Sequence, residues 1–229
     1  LGFAHRYRAA LSVGGDFFYI TRLTDHRAAV FITDVMGHGA RSALVTAILR
    51  TLLHNLEPTL DEASSIMSYI NRQFCESVPH GKEFIFATAF CLVIDTASGE
   101  ATCASAGHPS ALRSGSANRE VVPVMTSHDV GPALGLTMEA DYPAVRLKIK
   151  AGDLFLLYTD GLIEAPNTQN EAFGEERLRM VTAARRDATP DEVCDGVVQA
   201  VARHMDTVVA PDDLCLAAVK VLSGGIPGR

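Results

Sequence analysis

The sequence has no tryptophan and only 5 cysteines in 229 residues. Cys75, Cys91, Cys103, Cys194 and Cys215 are odd in number and form no C-x-x-C, and Cys91, Cys103 and Cys215 sit in strand-like apolar runs. They read as reduced core thiols of a cytosolic protein. No apolar run approaches the ~18 residues that a membrane span needs. Nothing at the N-terminus has the charged, apolar and cleavage regions of a signal peptide. Basic charge is also scarce: 20 Lys and Arg stand against 27 Asp and Glu, for a net charge of −7, and Arg185–Arg186 is the only adjacent basic pair. That balance argues against nucleic acid as a partner. Internal repeats, low-complexity tracts and long Gly/Ser/Pro linkers are missing. With 48% hydrophobic and 21% charged residues, the composition excludes disorder, collagen and coiled coil. An acidic chain that handles an anionic substrate needs a local cation, and a bound metal could supply it.

What is present is a succession of strands and segregated helices. Phe17–Leu23 and Ala28–Val35 read as strands joined at Thr24–Asp25–His26. A helix is expected over Ala40–Asn55, with Leu44, Val45, Ile48, Leu49, Leu52, Leu53 and Leu56 in a stripe wide enough for burial on more than one side. Pro58 ends it. A second helix is expected near Asp61–Glu76. Strands follow at Phe84–Asp95, Glu100–Ala106, Glu120–Val124, Ala144–Ile149 and Asp153–Tyr158. A helix is expected at Glu175–Ala184, and another after Thr189, where Pro190 and Glu192 complete a capping box. The core face of that helix is read as Val193, Val197, Ala200 or Val201, and His204. Leu214–Leu222 is the last strand. Many strands with separate helix pairs suggest α+β layers, with sheets packed together and helices outside.

Aspartates sit where these strands begin or end. Asp16 follows Gly14–Gly15, Asp34 precedes Gly37–His38–Gly39, Asp160 precedes Gly161, and Asp212 and Asp213 follow Pro211. Carboxylates beside buried strands are costly unless paired or bound to metal. All-oxygen ligands select a hard cation, Mg²⁺ or Mn²⁺, over Zn²⁺. Two such ions about 3.5–4 Å apart can acidify a water and clamp a phosphoryl group. Taken singly, each aspartate reads more readily as an ordinary turn or loop residue than as a ligand.

Five motifs occur in order: Gly-Gly-Asp-Phe at 14–17, Asp-Val-Met-Gly-His-Gly at 34–39, Ala-Gly-His-Pro at 106–109, Gly-Asp-Leu-x-x-Leu-Tyr-Thr-Asp-Gly at 152–161 and Pro-Asp-Asp-Leu at 211–214. The chain, from about Gly14 to Val221, resembles the SpoIIE/RsbU-type serine phosphatases, a bacterial branch of the metal-dependent (phosphatase 2C-like, PPM) protein phosphatases. Gly14–Phe17 alone also resembles the diguanylate cyclase signature. That signature continues with an acidic residue where this chain has Phe17.

The resemblance implies an αββα sandwich, two central and mainly antiparallel sheets flanked by helix pairs. It implies a phosphoserine/phosphothreonine protein phosphatase using Mn²⁺ or Mg²⁺, two ions, and a metal-bridging hydroxide. By position, Asp34 would bridge both ions, joined by the backbone carbonyl of Val35. Asp16 would reach one ion directly or through water, and Asp160 and Asp212 would complete the cluster. Asp213 would hydrogen-bond locally or orient its neighbour. Gly15, Gly37, Gly39 and Gly161 are supporting positions. Eukaryotic relatives carry a His two residues after the bridging Asp. Met36 stands there in this chain and His38 two residues later, so His38 is read as a turn residue fixing the strand-to-helix junction. His108 is read as ordering a loop near the site. The eukaryotic phosphate-gripping arginine has no assured counterpart, and Arg6, Arg8 and Arg22 are nearby candidates.

The implied substrate is a phosphorylated anti-sigma-factor antagonist in a cytoplasmic partner-switching pathway. An upstream sensor domain or activating partner would control the helix pair that follows Asp34, against the plainer reading of a static helix pair; a homodimer is left open. Residues 1–229 are expected to be one phosphatase domain excised from a longer regulatory protein, since the chain begins at Leu1 rather than Met. The rival readings are a pseudophosphatase binding module, which would have lost some of these aspartates, and a small-molecule phosphohydrolase on the same fold.

Overall fold

A computed structural model describes residues 1–10, 14–37, 39–56, 59–78, 85–116 and 120–222. The expectations for His38, Pro58 and Phe84 fall outside these residues. The strands are β1 (Gly2–Arg8), β2 (Phe17–Arg22), β3 (Arg27–Val35), β4 (Ala87–Asp95), β5 (Glu100–Ala106), β6 (Leu112–Ser114), β7 (Val121–Pro123), β8 (Val130–Gly131), β9 (Val145–Lys148), β10 (Leu154–Tyr158) and β11 (Leu214–Lys220). The α-helices are α1 (Ala40–His54), α2 (Ala63–Ser77), α3 (Asp160–Glu164), α4 (Glu175–Ala184) and α5 (Pro190–Met205). One sheet has the order β1-β11-β10-β6-β7, the other β2-β3-β4-β5-β8, with β9 also on β5. All pairings are antiparallel except β5 with β8.

Three apolar layers make this an αββα sandwich. Strand side chains alternate between faces. In β3, Ala28, Val30 and Ile32 point between the sheets, where they join Phe90, Phe155 and Val219. Their neighbours Ala29, Phe31 and Val35 point the other way, into the layer formed with Leu49, Ile66 and Phe74 of α1 and α2. On the opposite side, Leu156 and Tyr158 of β10 pack with Leu178 of α4 and Val197 of α5. The expected sandwich is thus the observed one.

Two helix readings need correction. Helix α1 buries Val45, Leu49 and Leu53, but Leu44 is 69% exposed. Among the described residues α1 packs on α2 and on β2 and β3, which cover one side of its stripe. In α5, the core face runs through Val193, Cys194, Val197, Val201 and Met205, not through His204. The half-buried His204 ring meets the backbone carbonyl of Glu171 through Nε2 at 2.9 Å. The α5 capping box forms as expected: Thr189 Oγ1 accepts the Glu192 N–H, and Glu192 accepts the Thr189 N–H at 2.8 Å. All five cysteines are reduced and buried.

One buried ion pair closes the sheet end remote from the aspartate motifs. Arg113 donates to Asp153 Oδ2 at 2.7 Å, and the backbone N–H groups of Ser116 and Lys150 donate to the same carboxylate. Burial pushes this carboxyl up, but the Ser116 amide, the Arg113 guanidinium and the Lys150 amide together hold it below the usual range. A depressed carboxyl contributes stability that is present above its unfolded pKa and lost as pH falls through the folded value. Asp153→Asn should therefore cost about 3 kcal/mol at neutral pH, because it leaves Arg113 half-buried without its counter-charge. Urea unfolding at several pH values checks this: the gap from wild type should close below about pH 4.

Candidate functional site

Strand pairing brings the aspartate motifs to one end of the sandwich. In the second sheet, Phe17 opposes Thr33, so Asp16 at the start of β2 lies beside Asp34 at the end of β3. The Val35 N–H contacts the Gly15 carbonyl at 3.4 Å. In the first sheet, Tyr158 opposes Leu216, so Asp160 after β10 and Asp212 before β11 meet at the same edge.

Close backbone approaches explain the glycines. A Cβ on Gly15 would stand 2.7 Å from the Val35 carbonyl oxygen, and one on Gly161 would stand 2.2 Å from the Asp213 carbonyl oxygen. Gly37 and Gly39 adopt φ of +89° and +85°, a region that L side chains rarely enter.

Asp213 fastens the two sheets. Its Oδ1 accepts the Ala10 N–H at 2.8 Å, and its Oδ2 accepts the Gly15 N–H at 2.8 Å and the Asp16 N–H at 3.4 Å. The Tyr7 hydroxyl donates to Oδ2 at 3.4 Å. A Cβ on Gly14 would fall 1.7 Å from that oxygen, so Gly14 is required for the loop to close on it. Asp212 Oδ1 accepts the Asp213 N–H at 2.8 Å, and Asp160 Oδ1 accepts the Gly161 N–H at 2.9 Å.

Thr159 was not singled out in the sequence, and it crosses between the sheets. Its hydroxyl donates to Asp16 Oδ2 at 2.6 Å and accepts the Cys215 N–H at 3.2 Å. The available signal was a hydroxyl residue ending an apolar strand just before Asp160. A second polar link runs through His108, which is 4% exposed. His108 Nε2 donates to the Tyr158 carbonyl at 3.1 Å, which leaves Nδ1 to accept from the Thr88 hydroxyl at 2.7 Å. Thr88 is the register partner of Asp34, and Tyr158 lies two residues before Asp160. Burial drives the His108 pKa down to about 3, so the ring is neutral near pH 7. His108 thus links the strand ends that carry Asp34 and Asp160 through a neutral ring buried between them.

The arginine candidates divide. Arg6 is bound to Asp195 at 2.8 Å and to Asp191, on the α5 side. Arg22 pairs with Asp25 at the far end of β2. Arg8 is exposed at the end of β1. Sequence proximity could not tell which face each arginine takes.

The electrostatics of the aspartates are those of crowded like charges. Burial raises Asp16; the Thr159 hydrogen bond opposes this, and the Asp34 charge adds to it. Burial and the charge of Asp160 raise Asp34, partly offset by its hydrogen bond with Asp16. Burial and Asp212 raise Asp160 against the Gly161 N–H. No ion pair among the described residues reaches Asp16, Asp34, Asp160 or Asp212. As placed, no group of three His, Cys, Asp or Glu side chains among the described residues is gathered tightly enough to grip an ion. The chemistry of the donor set still fits a hard divalent cation. It is all oxygen, it is in negative excess, and two of its carboxylates share a hydrogen bond that a cation would replace.

The architecture is that of phosphatase 2C-type domains. The SiaA-PP2C domain of Pseudomonas aeruginosa superposes with a TM-score of 0.82 over 95% of this chain and 85% of that one, at 19% identity. The catalytic domain of the serine threonine protein phosphatase PstP, in complex with 2 manganese ions, superposes at 0.68 over 96% of this chain and 98% of that one, at 16% identity. At these identities the likeness establishes the fold. The family model described as Stage II sporulation protein E (SpoIIE) matches residues 24–222, and the chain belongs to that family. Among curated relatives, Protein IcfG of Synechocystis sp. is 27% identical over 244 residues, 93% of this chain and 37% of that protein. Phosphoserine phosphatase RsbP of Bacillus subtilis is 28% identical over 160 residues, 69% of this chain and 38% of that protein. The chain spans less than two fifths of the length of either.

Thr159→Val removes the donor to Asp16 and the acceptor for a buried N–H. It should cost about 1–3 kcal/mol in urea unfolding, and Thr159→Ser should recover most of that loss.

Proposed function

We propose that the chain is a divalent-metal-dependent phosphoserine/phosphothreonine protein phosphatase. One observation carries this reading: Asp16, Asp34, Asp160 and Asp212 converge at one end of the sandwich with no cationic partner among the described residues. Family membership and the manganese-bound relative of the same fold support it. Asp16, Asp34, the Val35 carbonyl, Asp160 and Asp212 are the groups that would hold two Mn²⁺ or Mg²⁺ ions. When bound, these ions supply Lewis-acid charge to the phosphoryl oxygens and acidify water.

The protein's own residues hold the donors in place. Asp213 ties the Gly14–Asp16 loop to β11, and Thr159 fixes which oxygen of Asp16 faces the cluster. The Thr88–His108–Tyr158 link sets the spacing between the sheet ends that carry Asp34 and Asp160. Uncatalysed phosphate monoester hydrolysis is among the slowest known reactions, so the electrostatics of the loaded site must supply most of the acceleration. We read the substrate as a phosphorylated anti-sigma-factor antagonist in bacterial partner switching. RsbP is named a phosphoserine phosphatase, and the chain matches about two fifths of it. We read residues 1–229 as one phosphatase domain of a longer cytoplasmic regulator with an attached sensor. Among the described residues no helix is long and apolar enough to cross a membrane.

Hydrolysis of p-nitrophenyl phosphate and of a phosphoserine protein, with Mn²⁺, with Mg²⁺ and with chelator, tests the assignment. Turnover should require the metal. Asp34→Ala and Asp160→Ala should each lose at least about a thousandfold in kcat with unchanged circular dichroism. Near-wild-type rates in either variant would sink it.

A further inference from the structure

A groove of about 620 Å³ ends at Asp16, which is the one member of the acidic cluster in its wall. It runs along the side of the sandwich. The floor is β2, the outermost strand of its sheet, which pairs with β3 alone. Alternate backbone N–H and C=O groups along its outer edge have no backbone partner among the described residues. Natural edge strands are usually blocked by proline, lysine or a bulge. The β2 sequence Phe-Phe-Tyr-Ile-Thr-Arg has none of these before Arg22 at its far end. One wall is α1, which presents the small side chains of Ala43 and Ala47 and, further along, Arg50. The other wall is β1, whose His5 ring lies 4.0 Å from the Phe18 ring at a 36° tilt. The groove therefore has an extended hydrogen-bonding edge, room beside it, and one full cation.

The spacing along the groove is fixed. Helix α1 starts at the site, where a Cβ on Gly15 would lie 3.4 Å from Ser42 Cβ. Arg50 follows eight residues later, about 12 Å along the helix axis. An extended peptide covers that distance in about four residues. Arg50 is exposed and forms no ion pair among the described residues.

We infer that this groove binds the substrate polypeptide as a strand added to the free edge of β2, with its phosphoserine at the acidic cluster and an acidic side chain about four residues away at Arg50. The inference rests on the phosphatase reading and names the substrate feature that site would select. Strand addition uses main-chain bonds for affinity and side-chain contacts for selection. The continuity of β2 with Asp16 is what makes the occupant the substrate rather than a remote partner.

The test uses ten-residue phosphoserine peptides carrying Glu or Lys four residues to either side of the phosphoserine, with p-nitrophenyl phosphate as the small control. Wild type should favour a Glu peptide over its Lys counterpart by at least about tenfold in kcat/KM. Arg50→Glu should reverse that order. Ala47→Trp, a change at an exposed helix position, should lower kcat/KM for every peptide by at least about tenfold. Both variants should hydrolyse p-nitrophenyl phosphate within twofold of wild type. Equal use of Glu and Lys peptides by wild type, or unchanged peptide kinetics in Ala47→Trp, overturns the inference. So does a variant that shifts the monomer–dimer balance in size-exclusion chromatography while leaving peptide kinetics intact, since the groove would then join two copies of the chain. If wild type turns over nothing, anisotropy of fluorescein-labelled peptides still reads the groove. Binding weakened in Ala47→Trp would keep the groove and fail the phosphatase reading, whereas equal binding would fail the groove.

Discussion

The carboxylates at the motif end are buried beside one another without a counter-charge among the described residues, and burial first, neighbouring charge second, raises Asp16, Asp34 and Asp160. The charges of Asp160, Asp212 and Asp213 all raise Asp34, and its hydrogen bond with Asp16 opposes them. No lysine or arginine ion pair among the described residues relieves them. One response is visible. Asp16 and Asp34 share a hydrogen bond. A fold that gains nothing from such an arrangement would be expected to replace it with neutral residues.

Asp213 shows that sequence adjacency does not decide the role of a carboxylate. It neighbours Asp212, yet it accepts three backbone N–H groups and the Tyr7 hydroxyl, from a strand and loop about 200 residues earlier in the chain. Those donors occupy both of its oxygens. Asp212 accepts only the next residue's N–H among the described residues. One member of the pair is consumed in holding the fold together, and the other is left available to a ligand.

The main features of the site were legible because they depend on local order along the chain. Asp16, Asp34, Asp160 and Asp212 each sit at a strand end marked by glycine or proline, and the five motifs occur in sequence. The β3, β4, β5, α4 and α5 segments carry strong alternation, helical periodicity or capping signals. What stayed hidden depends on register between distant strands. Thr88 matters because β4 sets it opposite Asp34, and His108 matters because its ring reaches from Thr88 to the Tyr158 carbonyl. Neither relation follows from residue type. β1 was missed because Gly-Phe-Ala-His-Arg-Tyr-Arg has no clean polar–apolar alternation, and its Arg6 is satisfied by α5 rather than by solvent. Leu44 was misjudged because a broad apolar stripe does not reveal that neighbours exist on one side only.

The two ends of the chain's helical inventory differ in how firmly they are fixed. Helix α5 begins with a full capping box, a proline at its first turn and two acidic residues there. Helix α1 begins after two positive-φ glycines, with no side-chain cap and no acidic residue in its first turn. Such a start leaves the first amide donors to other partners and lacks the roughly 1 kcal/mol that a cap contributes. Gly15 packs against Ser42 and the Val35 carbonyl, so the start of α1, the Asp16 loop and the end of β3 form one contact set. A displacement of α1 therefore acts at once on Asp16, on Asp34 and on the groove wall at Ala43 and Ala47. Asp16, Asp34 and the groove wall share this uncapped junction, whereas Asp160 and Asp212 stand on the sheet against which α5 packs.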